Sequence, residues 1–418
     1  MKRKVIRSAF AGIAGVALLA GCTAGGGGGD ASGDPCASET PIEIEFWHTY
    51  STDSAENTQL TETVIPKFEE ECPGVTVNAV VMPYDGLHDQ LIAGVSGGGL
   101  PDLMRMDIIW TPEFADLGVL VPVDDLPGFD EIEASVLPGP LSTNELAGEH
   151  YGVPLDTNTQ AFVYNTDLVS EAPTTFDELI DLAEDLKAEG KYALALGGAG
   201  PWNVLPWFWS AGGSVTDDAY TTATGYLDSQ DSIDALQWLV DLQNDGLLGP
   251  SSTGGTPDSW GGLSSGDYAA LSDGPWLVSA LGGDLNLAAA AIPAGPGGSI
   301  SVVGGENLVM FATSEKQSAT WEFEKFLLGD FAQSAMAEVG QIPVTQAGLA
   351  SDAVTSVPYL AAYVEQLQTA QARTPVAKWP QIDVILTDAF MSALRGTASV
   401  EDALTDAAAK IDPLLAGD

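Results

Sequence analysis

Between Gly148 and Val169 the chain reads GEHYGVPLDTNTQAFVYNTDLV, and this stretch restricts the fold more than any other. Tyr151 to Leu155 and Ala161 to Tyr164 are apolar runs of strand length, separated by the polar corner Asp156, Thr157 and Asn158. Polar groups between two buried strands are costly unless paired, and a corner that faces a cleft can pair them with a polar ligand. The stretch therefore reads as a crossing between two lobes, with function expected near the corner. An ordinary turn is the alternative reading of the same residues.

The flanking segments alternate strand and helix signals. Ile42, Ile44 and Phe46 alternate with Glu43 and Glu45 and run into Trp47-His48-Thr49-Tyr50. A helix is expected over Ser54 to Glu71, a strand over Val75 to Met82, a helix over Tyr84 to Val95, and a buried strand over Leu100 to Asp107 that empties into Trp110. Beyond the crossing, Thr174 or Thr175 can cap a helix through Leu186, and Tyr192 to Leu196 reads as a strand ahead of Gly200-Pro201-Trp202-Asn203. An amphipathic helix follows over Ser232 to Leu248. The glycine-rich span Gly249 to Gly266 then reads as a loop over the cleft or a surface excursion. Ala269 to Leu271 leads into Asp273-Gly274-Pro275-Trp276, and Val357 to Leu415 is helical. The body from Cys36 onward is too long for one core, so two lobes are the default.

At the start of the chain, Lys2, Arg3, Lys4 and Arg7 precede the uncharged run Ala9 to Ala20, the pattern of a secretory signal over residues 1–21. Leu19-Ala20-Gly21-Cys22 resembles a bacterial lipobox, which implies a lipidated Cys22 and anchoring to the outer face of the cell membrane. Residues 22–35 include five consecutive glycines and read as a flexible tether. With Cys22 set aside, an exported chain keeps Cys36 and Cys72, which are expected to form a disulfide worth about 4 kcal/mol in the chain-entropy treatment. Two buried free thiols are the alternative.

A formal charge of −45, from 59 acidic and 14 basic residues, argues against nucleic acid and against anionic ligands. Four of those 14 basic residues lie in the leader. His48, His88 and His150 are scattered, no His/Cys spacing suits zinc, and neither a Gly-x-Ser-x-Gly elbow nor a P-loop occurs, so no metal or cofactor is expected. Gly97-Gly98-Gly99 lacks the Lys-Ser/Thr ending of a phosphate loop. Paired carboxylates at glycosidase separation stay open, which leaves a lipid-anchored glycoside-active enzyme as an alternative.

The runs GEHYGVP, AFVYNTDL and PTTFDEL, then Ala193 to Gly213, Gly274-Pro275-Trp276 and Gly304-Gly305-Glu306-Asn307, occur in an order that resembles the maltose-type extracellular solute-binding proteins of bacterial ABC importers. The resemblance implies a two-lobed α/β fold with three inter-lobe crossings, its first lobe 36–155 plus 300–350 and its second 156–299 plus 351–418. It also implies a carbohydrate ligand, permease partners, a monomer and no catalysis. A polyol, polyamine or peptide ligand is the alternative. Asp107 and Trp110 become ligand contacts by the resemblance, and Trp276 matches a family position where a ring stacks under a sugar. The expected site draws Trp47, His48, Asp107, Trp110 and Glu306 from the first lobe. From the second it draws Asp156, Asn158, Trp202, Asn203, Trp276, Arg373 and Trp379.

Overall fold

The computed structural model describes residues 33–416. The expected signal peptide 1–21, Cys22 and most of the 22–35 tether lie outside the described residues. Strands are β1 (Ile42–His48), β2 (Val75–Val81), β3 (Leu103–Asp107), β4 (Glu145–Leu146), β5 (Glu149–His150), β6 (Val153–Thr159), β7 (Ala161–Asn165), β8 (Ala270–Asp273), β9 (Leu287–Ala290), β10 (Ser301–Met310), β11 (Ile342–Pro343) and β12 (Ala370–Gln371).

Alternation in β1 divides its side chains between two cores. Ile44 and Phe46 join Val64, Phe68 and Phe323 on one face of the sheet. Trp47 joins Met82, Leu91, Trp110 and Phe114 on the other. The sheet runs β11-β6-β10-β3-β1-β2, with β12 added on β10. β1 is parallel to β2 and β3, whereas β10 is antiparallel to β3 and β6. Cys36 and Cys72 are bonded, tying the start of this lobe to the end of the helix Ile65–Glu71.

The second lobe is built on the antiparallel sheet β8-β7-β9. Helices Phe176–Ala188, Pro201–Ser210, Gln230–Asn244, Trp379–Leu394 and Val400–Leu415 surround its largest core, which holds Phe176, Trp207, Phe208, Trp379, Phe390 and Ile411. Between the two sheets stands a single residue, Gln160. It is fully buried, its Nε2 donates to the Trp202 carbonyl at 2.9 Å, and its Oε1 accepts from Ser272 Oγ at 2.5 Å. Ser301 Oγ, at the start of β10, donates to its carbonyl at 2.8 Å. The first crossing is thus bonded to the returning strand.

Several expected elements differ in detail. The polar corner Asp156–Asn158 is strand, because β10 on one side and β11 on the other supply its backbone partners. β6 therefore stays in the large sheet through Thr159, beyond the lobe limit expected after Leu155. The helix expected over Ser54 to Glu71 is Ala55–Gln59 and Ile65–Glu71, joined by a π-helical stretch at Leu60–Val64. Tyr192 to Leu196 makes only isolated bridges, to Tyr268, Leu248 and Leu271. The glycine-rich span holds a 3-10 turn (Pro250–Thr253) and a short helix (Ser259–Ser265) capped by Asp258.

Candidate functional site

β3 carries Arg105 into the middle of the large sheet, where it is 5% exposed. A buried guanidinium needs acceptors for its whole fork. Nη2 donates to Glu306 Oε2 at 2.6 Å and to Asp156 Oδ2 at 3.2 Å, Nε donates to Asp156 Oδ2 at 3.3 Å, and Nη1 donates to Thr49 Oγ1 at 2.9 Å. The guanidinium also sits 4.2 Å from the centre of the Tyr50 ring. Register explains the grouping. Glu306 on β10 is opposite Asp107 on β3 and opposite Asp156 on β6, and a bulge in β10 follows at Glu306/Asn307. Burial pushes the Glu306 carboxyl well above its usual range, with the Asp156 charge adding to the shift and Arg105 opposing it. Burial alone would lower the Arg105 pKa, but Asp156 and Glu306 outweigh it and hold the cation firmly charged.

This ion cluster forms one side of a cavity of about 820 Å³. Thr49, Tyr50, Tyr84, Arg105, Glu306 and Gln341 line it from the first lobe, with Asp53 and Glu56 at its edge, while Trp260, Trp276, Ser279 and Ala280 line it from the second. Its size suits a small polar molecule with one or two apolar faces. The β8 turn presents Trp276 at the start of the helix Pro275–Leu281. The ring folds back over Gly274, where any Cβ would collide with it. Trp202 stacks beside Trp276, centroids 6.0 Å apart and planes inclined by 27°. Arg373 lies 5.4 Å from the centre of the Trp202 ring and 3.6 Å from Asp107 Oδ1.

The twelve residues expected from sequence distribute unevenly around this cavity. Glu306 and Trp276 line it. Asp156 lies beneath, bonded to Arg105, and borders a smaller gap shared with Tyr50 and Gln341. Asn158 Oδ1 and the Trp202 ring both rest against Gly304, where a side chain would collide with them. Asp107 accepts from the Tyr84 hydroxyl at 2.9 Å, and Tyr84 stacks on Trp110 with centroids 5.2 Å apart. Asn203 packs against Gly197 and Gly198. Arg373 and Trp379 border a narrow gap with Ile109 and Thr143, and Arg373 Nε and Trp379 Nε1 are buried there without a hydrogen-bond partner among the described residues. Trp47 and His48 do not line the cavity. Trp47 packs in the sheet core and donates to Glu45 Oε1 at 2.7 Å, because strand alternation turns it to the face opposite His48. Sequence reasoning missed Arg105, Thr49, Tyr50, Tyr84, Trp260 and Gln341.

His48 is fully buried between the Phe46 and Tyr50 rings, and both of its ring nitrogens lack hydrogen-bond partners among the described residues. Burial, with the Arg105 charge second, pushes its pKa down from 6.5 to about 4. The folded protein keeps the ring neutral while the unfolded chain protonates below 6.5, so stability falls as pH drops from 6.5 to about 4. Urea unfolding should show His48→Leu losing less stability across that window than the parent. The expected difference approaches about 3 kcal/mol at its acid end, and parallel pH profiles would refute the assignment.

A split sheet, crossed at Gln160 and again ahead of β10, with an ion cluster and an aromatic wall facing each other across the gap, defines a two-lobed binding protein for small solutes. The chain belongs to the bacterial extracellular solute-binding protein family, whose sequence profile matches residues 63–362. A putative binding protein of Brucella abortus is 28% identical over 367 residues, which is 85% of this chain and 89% of the relative. The maltotriose-binding protein of Pyrococcus abyssi is 24% identical over 344 residues, 78% of this chain and 72% of that protein. Among solved structures, the GacH receptor of Streptomyces glaucescens, studied unliganded and with acarbose, superposes with a TM-score of 0.82. It has 25% identity and covers 90% of this chain and 98% of its own. The family is one of binding proteins rather than enzymes, and among the described residues no helix is long and apolar enough to cross a membrane.

Proposed function

We propose that the protein captures a mono- or oligosaccharide in the inter-lobe cavity and delivers it to the membrane subunits of an ABC importer, catalysing no reaction itself. One observation carries the reading: Trp260 and Trp276 face Arg105, Glu306, Thr49 and Tyr50 across a single cavity. Indole faces suit the C–H surfaces of a pyranose, and carboxylates, hydroxyls and an amide suit its hydroxyl groups. The sugar-binding relatives and the acarbose-binding neighbour support the same class. Trp202, Asn158, Asp107 and Arg373 extend the proposed site along the lobe boundary.

Calorimetry against maltose, maltotriose, acarbose and arabino-oligosaccharides, with spermidine and a polyol as controls, tests the reading. Saturable heat with at least one sugar is expected, accompanied by a rise in melting temperature. Heat with spermidine alone would move the ligand to the polyamine class.

The leader and Leu19-Ala20-Gly21-Cys22 support a lipid-anchored, exported protein. Cys22→Ala is expected to release the protein from membranes or leave it unprocessed, as read by fractionation. Unaltered membrane association of that variant would rule the anchor out.

A further inference from the structure

Trp260 and Trp276 reach the cavity from different helices, Ser259–Ser265 and Pro275–Leu281, and both rings are only partly buried, resting against the border of the core that holds Tyr268, Leu277 and Tyr363. Asp273, the last residue of β8, lies between them. Its Oδ2 accepts from Trp260 Nε1 at 2.8 Å, and its Oδ1 accepts from the Gly274 backbone N–H at 2.8 Å. Trp276 follows directly on the Gly274–Pro275 turn that this backbone bond fixes, with its ring folded back over Gly274. The Tyr363 hydroxyl, from the helix Pro358–Gln366, donates to the Asp273 carbonyl at 3.0 Å and fixes the backbone at this point.

Resting on the sugar-cleft reading, we propose that Asp273 is a positioning residue: its carboxylate holds the Trp260 indole directly and the Trp276 indole through the Gly274 turn, and presents the two to the ligand as one preformed wall. A ring already held in its bound orientation loses less freedom on binding. Asparagine in this place keeps one acceptor oxygen but turns an N–H group toward the other of the two donors, so Asp273→Asn should break the arrangement without changing its volume.

The carboxyl carries a titration as a signature. Burial raises its pKa to about 6, against the lowering effect of the hydrogen bonds from Trp260 and Gly274. Tyr363 is the other titratable group facing it, and its hydroxyl is pushed up by burial and by Asp273. Among the described residues, no cation contributes to the shift of Asp273.

The test uses full-length protein labelled with 15N-tryptophan, with Trp260→Phe and Trp276→Phe to assign the indole signals. In the parent, both indole N–H signals should move with a shared midpoint near pH 6, and neither should do so in Asp273→Asn. Signals that ignore both pH and the substitution would overturn the proposal. Calorimetry with the sugar that binds the parent should show Asp273→Asn weakening affinity on the order of tenfold. That loss should largely vanish when both tryptophans are already phenylalanine, and an equal loss in that background would also overturn it. Where no sugar binds the parent, the failure lies with the proposed function, and the indole titration still decides the role of Asp273.

Discussion

Arg105→Met is expected to destabilise the protein by about 3–5 kcal/mol, because it strands two buried carboxylates rather than merely deleting an ion pair. Asp156 and Glu306 lie against one edge of the guanidinium, and the side chains of all three are at least four-fifths buried. With the cation gone, each would have to take up a proton or remain charged without a partner. Two further results separate this from a general loss of packing. The deficit should shrink on acidification, as Glu306, whose carboxyl burial already pushes well above its usual range, becomes neutral. Adding Glu306→Gln should restore part of the lost stability at neutral pH, an interaction visible in a double-mutant cycle. Urea unfolding of the four proteins at two pH values measures all of it, and strictly additive effects would show that the cluster is not the unit described.

Trp276→Ala should weaken sugar binding by more than tenfold while leaving the melting temperature of the free protein nearly unchanged. Stacking contributes about 0.5–1.5 kcal/mol beyond the area buried, and loss of the buried ring area adds to it. The ring is only partly buried in the free protein and lies over Gly274, so removing it opens no cavity in a core. Trp207 is the useful contrast. It is fully enclosed in the second lobe, so Trp207→Ala should cost about 3–5 kcal/mol of stability through the cavity left behind. If calorimetry shows Trp276→Ala and Trp202→Ala binding the parent's sugar unchanged, the proposed site is misplaced.

The contrast between these tryptophans also marks what the sequence could and could not reveal. Trp202, Trp207 and Trp209 fall within eight residues, and Gly200-Pro201-Trp202 reads as a loop that presents a ring, with Trp209 or Phe208 as core. That much was legible, as was the alternation of β1. Arg105 was not. Its partners stand 51 and 201 residues away along the chain, and only the antiparallel register of β10 between β3 and β6 brings them together. The polar run Asp156–Asn158 looked like a corner because a strand interior is normally apolar. Here the run is tolerated because Arg105 supplies the charge that Asp156 requires. Trp260 was hidden for a different reason. It sits among glycines whose sequence says turn, and its place in the cavity depends on Asp273, 13 residues further on at the end of β8.

The π-helical stretch at Leu60–Val64 amounts to one extra residue inserted into an otherwise continuous helix. Since each α-helical residue advances the chain by about 100°, removing one there would swing everything before the insertion relative to everything after it. Val64, Ile65 and Phe68, seated in the sheet core, would keep their positions, and the rotation would fall on Leu60, which packs in the same core, and on Asp53, Ser54 and Glu56, which line the cavity. The helix thus has the mechanics of a rotating collar, in which a change of chain length by one residue re-aims the polar rim while the packed half stays in place.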